Sequence, residues 1–251
     1  MKNSSKFIKQ LSLVYFAVIG WFLFLSIIPA LMLFAAISLL FPIAMSAYYF
    51  VLLYAAKFYI FLSPLKFSLK QIDPISDLSH DGFMVVANHR SHLDMFIMLA
   101  NVYKLRAVAN SRIFRIPVLG QMMKMSKHFP MKKGDVEVYK KTLKAIKEAC
   151  TLLHAVLFFP EMTRCDQGET GIQKFRLTAF QIARENNIQI IPVVISGTDY
   201  VWPRGKREMD FRHKISIVSL EAVSPNQFSS SAELSQYVHD IMEKKLLEIS
   251  A

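Results

Sequence analysis

Between Leu11 and Leu62 the chain carries one charged residue, Lys57. At about 1.5 Å per helical residue, such a run exceeds one bilayer crossing of roughly 20 residues. Pro29 and Pro42 are expected to break it into pieces. The run therefore predicts two helices, forming either a transmembrane hairpin or a pair embedded in one leaflet. Residues 1–70 read as membrane-anchoring helices and residues 71–251 as a separate α/β domain. A cleaved signal peptide is the competing reading, because Lys2, Lys6 and Lys9 resemble its charged start. The apolar region is far too long for a signal core, however, and no clear cleavage site follows it. Lysines precede the run and Lys66 and Lys70 follow it, so both ends are expected in the cytoplasm. The expected location is a bacterial-type inner membrane or another cytoplasm-facing membrane.

Charge and cysteine usage narrow the partners. The net charge is +11 and hydrophobic residues make up 53% of the chain. A basic chain with an apolar anchor fits an anionic membrane surface better than nucleic acid. Arg106, Arg112, Arg115, Lys124, Lys127, Lys132 and Lys133 supply that basic character, although solvated faces account for many such residues. The two cysteines, Cys150 and Cys165, have no metal-type spacing and predict no structural disulfide.

Past Gly82, apolar runs alternate with helical patterns. Strands are expected at Phe83–Ala87, Leu105–Ala109, His128–Met131, Ala155–Phe159, Ile188–Ile195 and Lys214–Leu220, with helices starting near Ser91, Ser111, Asp135, Lys174 and Ser231. Val138, Leu143, Ile146, Cys150 and Leu153 form the apolar stripe of the clearest helix. Ser63-Pro64, Asp73-Pro74 and Ser79-His80-Asp81-Gly82 read as loop and turn. This alternation predicts a mixed, mostly parallel sheet flanked by helices, with active residues in loops at the carboxyl ends of its strands.

One such loop is Asn88-His89-Arg90-Ser91-His92-Leu93-Asp94. Five helical positions are about 140° apart, so His89 and Asp94 do not share a helix face. They meet only if His89 sits on the turn before a helix and Asp94 in its first turns. One imidazole nitrogen is then held and the other is free as a base. Arg90 reads either as a phosphate contact or as a solvent-facing cation. His92 invites a metal trio with His89 and Asp94, but no further His or Cys cluster supports one, and no metal is expected. His128, His154, His213 and His239 read as structural or surface residues.

A second loop, Phe159-Pro160-Glu161-Met162-Thr163-Arg164, follows the apolar Ala155–Phe158. It places an acid and a base over the same mouth. Arg can fork onto phosphate and Glu can accept from a hydroxyl, although such a pair alone is more often a surface ion pair.

Together these motifs make the chain resemble the glycerolipid acyltransferase family that includes 1-acyl-glycerol-3-phosphate acyltransferases. The family's His-x4-Asp motif matches His89 and Asp94 within NHRSHLD. Its Phe-Pro-Glu-Gly-Thr-Arg motif matches Phe159–Arg164, and its apolar strand with a proline matches Ile190-Ile191-Pro192-Val193-Val194. The likeness runs from Phe83 to Gly197 in the family's order. It implies transfer of a fatty acyl group from an acyl-CoA or acyl-carrier-protein thioester to a lysophospholipid hydroxyl, without cofactor. His89 and Asp94 would be catalytic, with Glu161, Thr163, Arg164, Lys132 and Arg90 binding the acceptor. Backbone N–H groups at the start of the Ser91 helix would stabilise the oxyanion.

Three positions, in two motifs, depart from the family pattern. Ser126 and Lys132 stand where its second motif has Gly and Arg, and Met162 stands for the Gly of the third. Lys lacks the planar fork, and Met cannot take positive φ cheaply, so the acceptor stays open between 1-acyl-glycerol-3-phosphate and another lysolipid. Two other classes also remain. One is a membrane-bound hydrolase using Cys165 or a metal at His89 and His92. The other is a non-catalytic module holding anionic lipids.

Overall fold

The computed structural model describes residues 2–38, 40–41, 43–71, 82–117, 119–132, 134–206 and 208–250. The expected turns at Asp73-Pro74 and Ser79–Asp81 lie outside them, as does Pro42. Two long helices come first, α1 (Lys2–Ile37) and α2 (Ala44–Leu62). Pro29 lies inside α1 and does not end it. A proline costs a helix one N–H bond but need not break it. The stretches Gln10–Ile37 and Ala44–Leu62 are each long and apolar enough to cross a membrane, and most of each faces outward. Trp21, Phe22, Leu25 and Phe61 are among their exposed side chains.

The strands are β1 (Lys66–Gln71), β2 (Phe83–Ala87), β3 (Leu105–Asn110), β4 (Phe129–Met131), β5 (Ala155–Phe158), β6 (Ile190–Ser196) and β7 (Lys214–Ser219). They form one sheet in the order β1-β7-β6-β2-β5-β3-β4. The five strands from β6 to β4 are parallel, and β7 runs antiparallel to β6. The expected mixed, mostly parallel sheet is therefore the observed one. β1 pairs parallel with β7 and its register shifts between Phe67 and Leu69. No strand was expected there, and β1 straddles the expected boundary at residue 70, so the sheet begins within the segment assigned to the anchor.

Connecting helices are α3 (Leu93–Asn101), α4 (Leu119–Met125), α5 (Val136–Thr151), α6 (Thr178–Glu185), α7 (Thr198–Val201) and α8 (Ser231–Ser250). The helix expected near Ser111 is a single 3-10 turn, Ile113–Arg115, followed by α4. α6 starts four residues later than Lys174. Leu153 falls beyond the end of α5 and is exposed.

Strand side chains alternate between faces. Met84 and Val86 pack with Ile146, Phe180, Val238 and Met242, from α5, α6 and α8. Val85 and Ala87 pack with Leu93 and Ile97 of α3 and with Phe16 of α1. Both faces are covered, which is why the central strands read as continuous apolar runs rather than alternating ones.

The hairpin is also fastened by polar groups. Tyr48 Oη is 2.6 Å from Ser126 Oγ, and Tyr49 Oη donates to the Ser126 carbonyl at 2.8 Å. Arg106 Nε donates to Tyr49 Oη at 2.8 Å, and Arg106 Nη2 contacts His154 Nε2 at 2.8 Å. Ser126, one of the departures from the family pattern, thus joins α2 to the end of α4. His128 Nδ1 accepts from the Ala107 N–H at 2.7 Å, a structural use of that ring.

Candidate active site

The carboxyl ends of β2, β5 and β6 meet at the centre of the sheet, and the candidate residues gather there. Asn88 follows β2 and its side chain imitates a strand: its Nδ2 donates to the Ile195 carbonyl at 2.8 Å, and its Oδ1 accepts from the Ile195 N–H at 2.7 Å. The chain then turns, and α3 starts at Leu93 with Asp94 in its first turn. His89 lies on the turn before it, the one arrangement in which the pair can meet. His89 Nδ1 and Asp94 Oδ2 are 2.9 Å apart.

Asp94 is fully buried and surrounded by donors. Oδ2 also accepts the N–H groups of Arg90 and Ser91, each at 2.7 Å, and Oδ1 accepts the Thr198 hydroxyl at 2.7 Å. An acceptor-only carboxylate puts the imidazole proton on Nδ1. Nε2 then carries the free lone pair, and among the described residues it has no hydrogen-bond partner. The Phe159 ring stacks on His89 at 4.1 Å and 20°. Of the backbone N–H groups at the start of the expected Ser91 helix, that of Ser91 is spent on Asp94, as is the Arg90 N–H before it.

Glu161 is buried. Its Oε1 accepts the His89 N–H at 2.6 Å and its Oε2 the Gln173 N–H at 3.0 Å. Both oxygens face backbone, so the side chain braces the His89 turn and is not the free acceptor group expected from the sequence. Burial pushes its carboxyl up to about 7; the two N–H bonds and the charges of His89 and Arg90 oppose the shift without cancelling it.

Arg90 is only 6% exposed, so neither expectation for it, phosphate contact or solvent, holds. Its Nε and Nη2 fork onto Asp199 at 2.9 and 3.1 Å, and Nη1 and Nη2 donate to the carbonyls of Gly171 and Glu169. Lys132 follows β4, two strands from β5, and its side chain is 55% exposed. It pairs with Asp135 at 3.2 Å and has no contact with the His89 cluster. Thr163 makes only a long contact to the Arg164 carbonyl.

Arg164 is half-buried, and its guanidinium has no hydrogen bond or ion pair among the described residues. Its pKa is lowered from the ordinary arginine value by desolvation and then by the Arg204 charge, against the pull of Asp94. The His92 imidazole is likewise held below its ordinary value, by desolvation first and then by the charges of Arg164 and His89. The Arg164 charge is thus felt at the His92 ring. Next to Arg164 in the chain, Cys165 is buried, its N–H bonded to the His89 carbonyl at 3.1 Å and its thiol pushed up to about 12 by burial. A buried, protonated thiol is a poor nucleophile, which removes the support for Cys165 as a hydrolase residue.

Met162 has φ +59°, the left-handed conformation suited to the family's glycine. Its side chain is 60% exposed, so the turn keeps its shape and the bulk points outward rather than into a pocket. Strain of this kind costs about 1 kcal/mol.

Asn88, Thr198 and Asp199 were missed by sequence reasoning. The available signal was Gly197-Thr198-Asp199 directly after the apolar β6. Gly197 has φ +86°, and a Cβ there would lie 2.1 Å from the Lys214 carbonyl oxygen, so only glycine makes the turn that aims Thr198 at Asp94.

The family model described as acyltransferase matches residues 69–196, half of the chain. The chain belongs to the acyltransferase family. Among its relatives are 1-acyl-sn-glycerol-3-phosphate acyltransferase LPAT1, chloroplastic, of Arabidopsis thaliana, 29% identical over 162 residues covering 61% of this chain and 45% of that protein. The 1-acyl-sn-glycerol-3-phosphate acyltransferase BAT2, chloroplastic, of Brassica napus is 30% identical over 158 residues, with 61% and 44% covered. The chain thus spans a little under half the length of these curated relatives. In fold it is similar to the 1-acyl-sn-glycerophosphate acyltransferase PlsC of Thermotoga maritima, with a TM-score of 0.84, 21% identity and 98% of each chain covered.

Proposed function

We propose that the protein transfers a fatty acyl group from a thioester, of coenzyme A or of acyl carrier protein, to the free hydroxyl of 1-acyl-glycerol-3-phosphate. The observation that carries this reading is His89, held through Nδ1 by a buried Asp94 with Nε2 unoccupied at a mouth overlooked by Arg164. Family membership and the activity for which the relatives are named support it. His89 Nε2 takes the proton of the acceptor hydroxyl as its oxygen attacks the thioester carbonyl. The tetrahedral intermediate collapses, the carbon–sulfur bond breaks, and the leaving thiolate takes the proton back from the imidazolium. Asp94 fixes the tautomer and stabilises that imidazolium.

In this reading His89 and Asp94 are catalytic, Arg164 binds the acceptor phosphate, and Glu161, Arg90 and Thr198 are positioning residues. Thr163 and Lys132 are assigned to acceptor binding on the family's motifs alone, since neither contacts the His89 ring. The hairpin of α1 and α2, and not the β1 residues that the 1–70 boundary also enclosed, serves as a membrane anchor with both ends cytoplasmic, and the basic surface rests against anionic lipids. The apolar, outward-facing sides of α1 and α2 support that placement. The test is the purified full chain with a panel of lysolipids and both donor types, read by mass spectrometry. Diacyl product from 1-acyl-glycerol-3-phosphate above all other acceptors is expected. Preference for another lysolipid would reassign the acceptor, and free fatty acid released without any acceptor would favour a hydrolase.

A further inference from the structure

Arg204 belongs to the loop after α7, far in sequence from both motif loops, yet its side chain reaches one of them. Its Nη1 donates to the Arg164 carbonyl at 2.9 Å and lies 3.8 Å from Asp166 Oδ1. Asp166 is a loose counterion, its side chain 72% exposed. Such pairs contribute little. The Nε and Nη2 groups of Arg204 have no partner among the described residues, and its side chain is 42% exposed. Beside it the Arg164 guanidinium is half-buried and likewise without a partner. The loop that carries Arg204 is built into the mouth: the Trp202 ring packs on His92 at 5.3 Å, its Nε1 donates to the Lys206 carbonyl at 3.1 Å, and its own carbonyl accepts from Ser91 Oγ at 2.8 Å.

Arg204 is bonded to the Arg164 backbone, and among the described residues neither guanidinium has a tight carboxylate partner, so the two positive charges are left for an anion to neutralise. The Arg204 charge is felt at Arg164, where it disfavours the cation. Bidentate forks match the oxygens of a phosphate monoester, which offers three acceptor oxygens and up to two negative charges.

We propose that Arg204 and Arg164 together form a two-arginine cradle for the phosphate monoester of the acceptor, with Arg204 as its outer member. The assignment of the phosphate to the acceptor rests on the function proposed above.

The experiment uses the detergent-solubilised full chain and compares Arg204→Ala, Arg204→Gln and Arg204→Lys. Loss of one charge-assisted contact should raise the KM for 1-acyl-glycerol-3-phosphate by about 10- to 100-fold, with kcat and the donor KM nearly unchanged. Gln can keep the bond to the Arg164 carbonyl but not the charge, and should be as weak as Ala. Lys should recover part of the affinity. Full recovery in Gln would make Arg204 a prop for the Arg164 loop and overturn the proposal. A rise in donor KM instead would assign the phosphate to the donor and overturn it equally. Direct titration with 1-acyl-glycerol-3-phosphate, without donor, separates this inference from the function. If the wild type binds it but transfers nothing, the function falls, and binding weakened in Arg204→Gln still supports the cradle. Equal binding by the two proteins overturns the cradle.

Discussion

Replacing Arg90 or Arg164 by alanine should have opposite consequences, because the two side chains differ only in surroundings. Arg90→Ala strands Asp199, which is fully buried, and such a loss costs about 3–5 kcal/mol. Arg164→Ala removes a half-buried cation with no partner and should change stability by under about 0.5 kcal/mol, while weakening acceptor use. Chemical denaturation of both variants checks this, and comparable destabilisation would contradict it. Glu161 has a signature in pH. Its carboxyl rises from 4.5 to about 7 in the folded protein. Folding therefore favours its protonated form, and this contribution is complete below pH 4.5 and lost as pH rises through about 7. The shift corresponds to roughly 3 kcal/mol. Relative to Glu161→Gln, the wild type should lose Tm between pH 5 and 8, and a constant difference over that range would refute the assignment. The His89–Asp94 pair was legible because five residues of local spacing leave it one geometry. The contacts that hold it, from Thr198 to Asp94 and from Arg90 to Asp199, join residues 104 and 109 apart and leave no local pattern.

Among the elements, the central strands and α5 were legible from their apolar runs, since burial on both sheet faces and on one helix face writes directly into residue order. β1 was not: it is an edge strand with lysines and a register shift, held by pairing with β7 rather than by its own apolar pattern. α7 is a single turn imposed by Gly197. The docking of α2 was equally hidden, because Tyr48 and Tyr49 look like two more aromatics in an apolar run. Their hydroxyls face Ser126 and Arg106, and Tyr49→Phe leaves both Arg106 Nε and the Ser126 carbonyl short of a partner. Such losses cost about 1–3 kcal/mol. Thermal unfolding should register that drop in Tyr49→Phe, whereas Tyr54→Phe, at an exposed position on the same helix, should leave Tm unchanged. Equal behaviour of the two variants would mean that the polar clamp contributes nothing.

At the scale of the whole molecule, the hairpin and the sheet are not two bodies on a tether. Phe16 of α1 lies in the core beneath β2, within 5.6 Å of the Phe211 ring, while the outer sides of both helices expose large apolar residues. Such a surface is costly in water and suited to lipid. Carbonate-washed membranes should therefore retain the chain, and its release into the wash would count against the anchor. Seating the hairpin on the sheet ties the outward-facing apolar sides of α1 and α2 to the domain that carries His89, an arrangement that under the proposed function suits an acceptor drawn from a bilayer. The central claim is that His89 is the base that activates that acceptor. The most direct measurement is single-turnover acyl transfer to 1-acyl-glycerol-3-phosphate by wild type and His89→Ala, both recovered from washed membranes. A loss of at least about 10²–10⁴-fold in the variant, with membrane retention unchanged, is the expected result. Turnover by His89→Ala close to that of the wild type would contradict it.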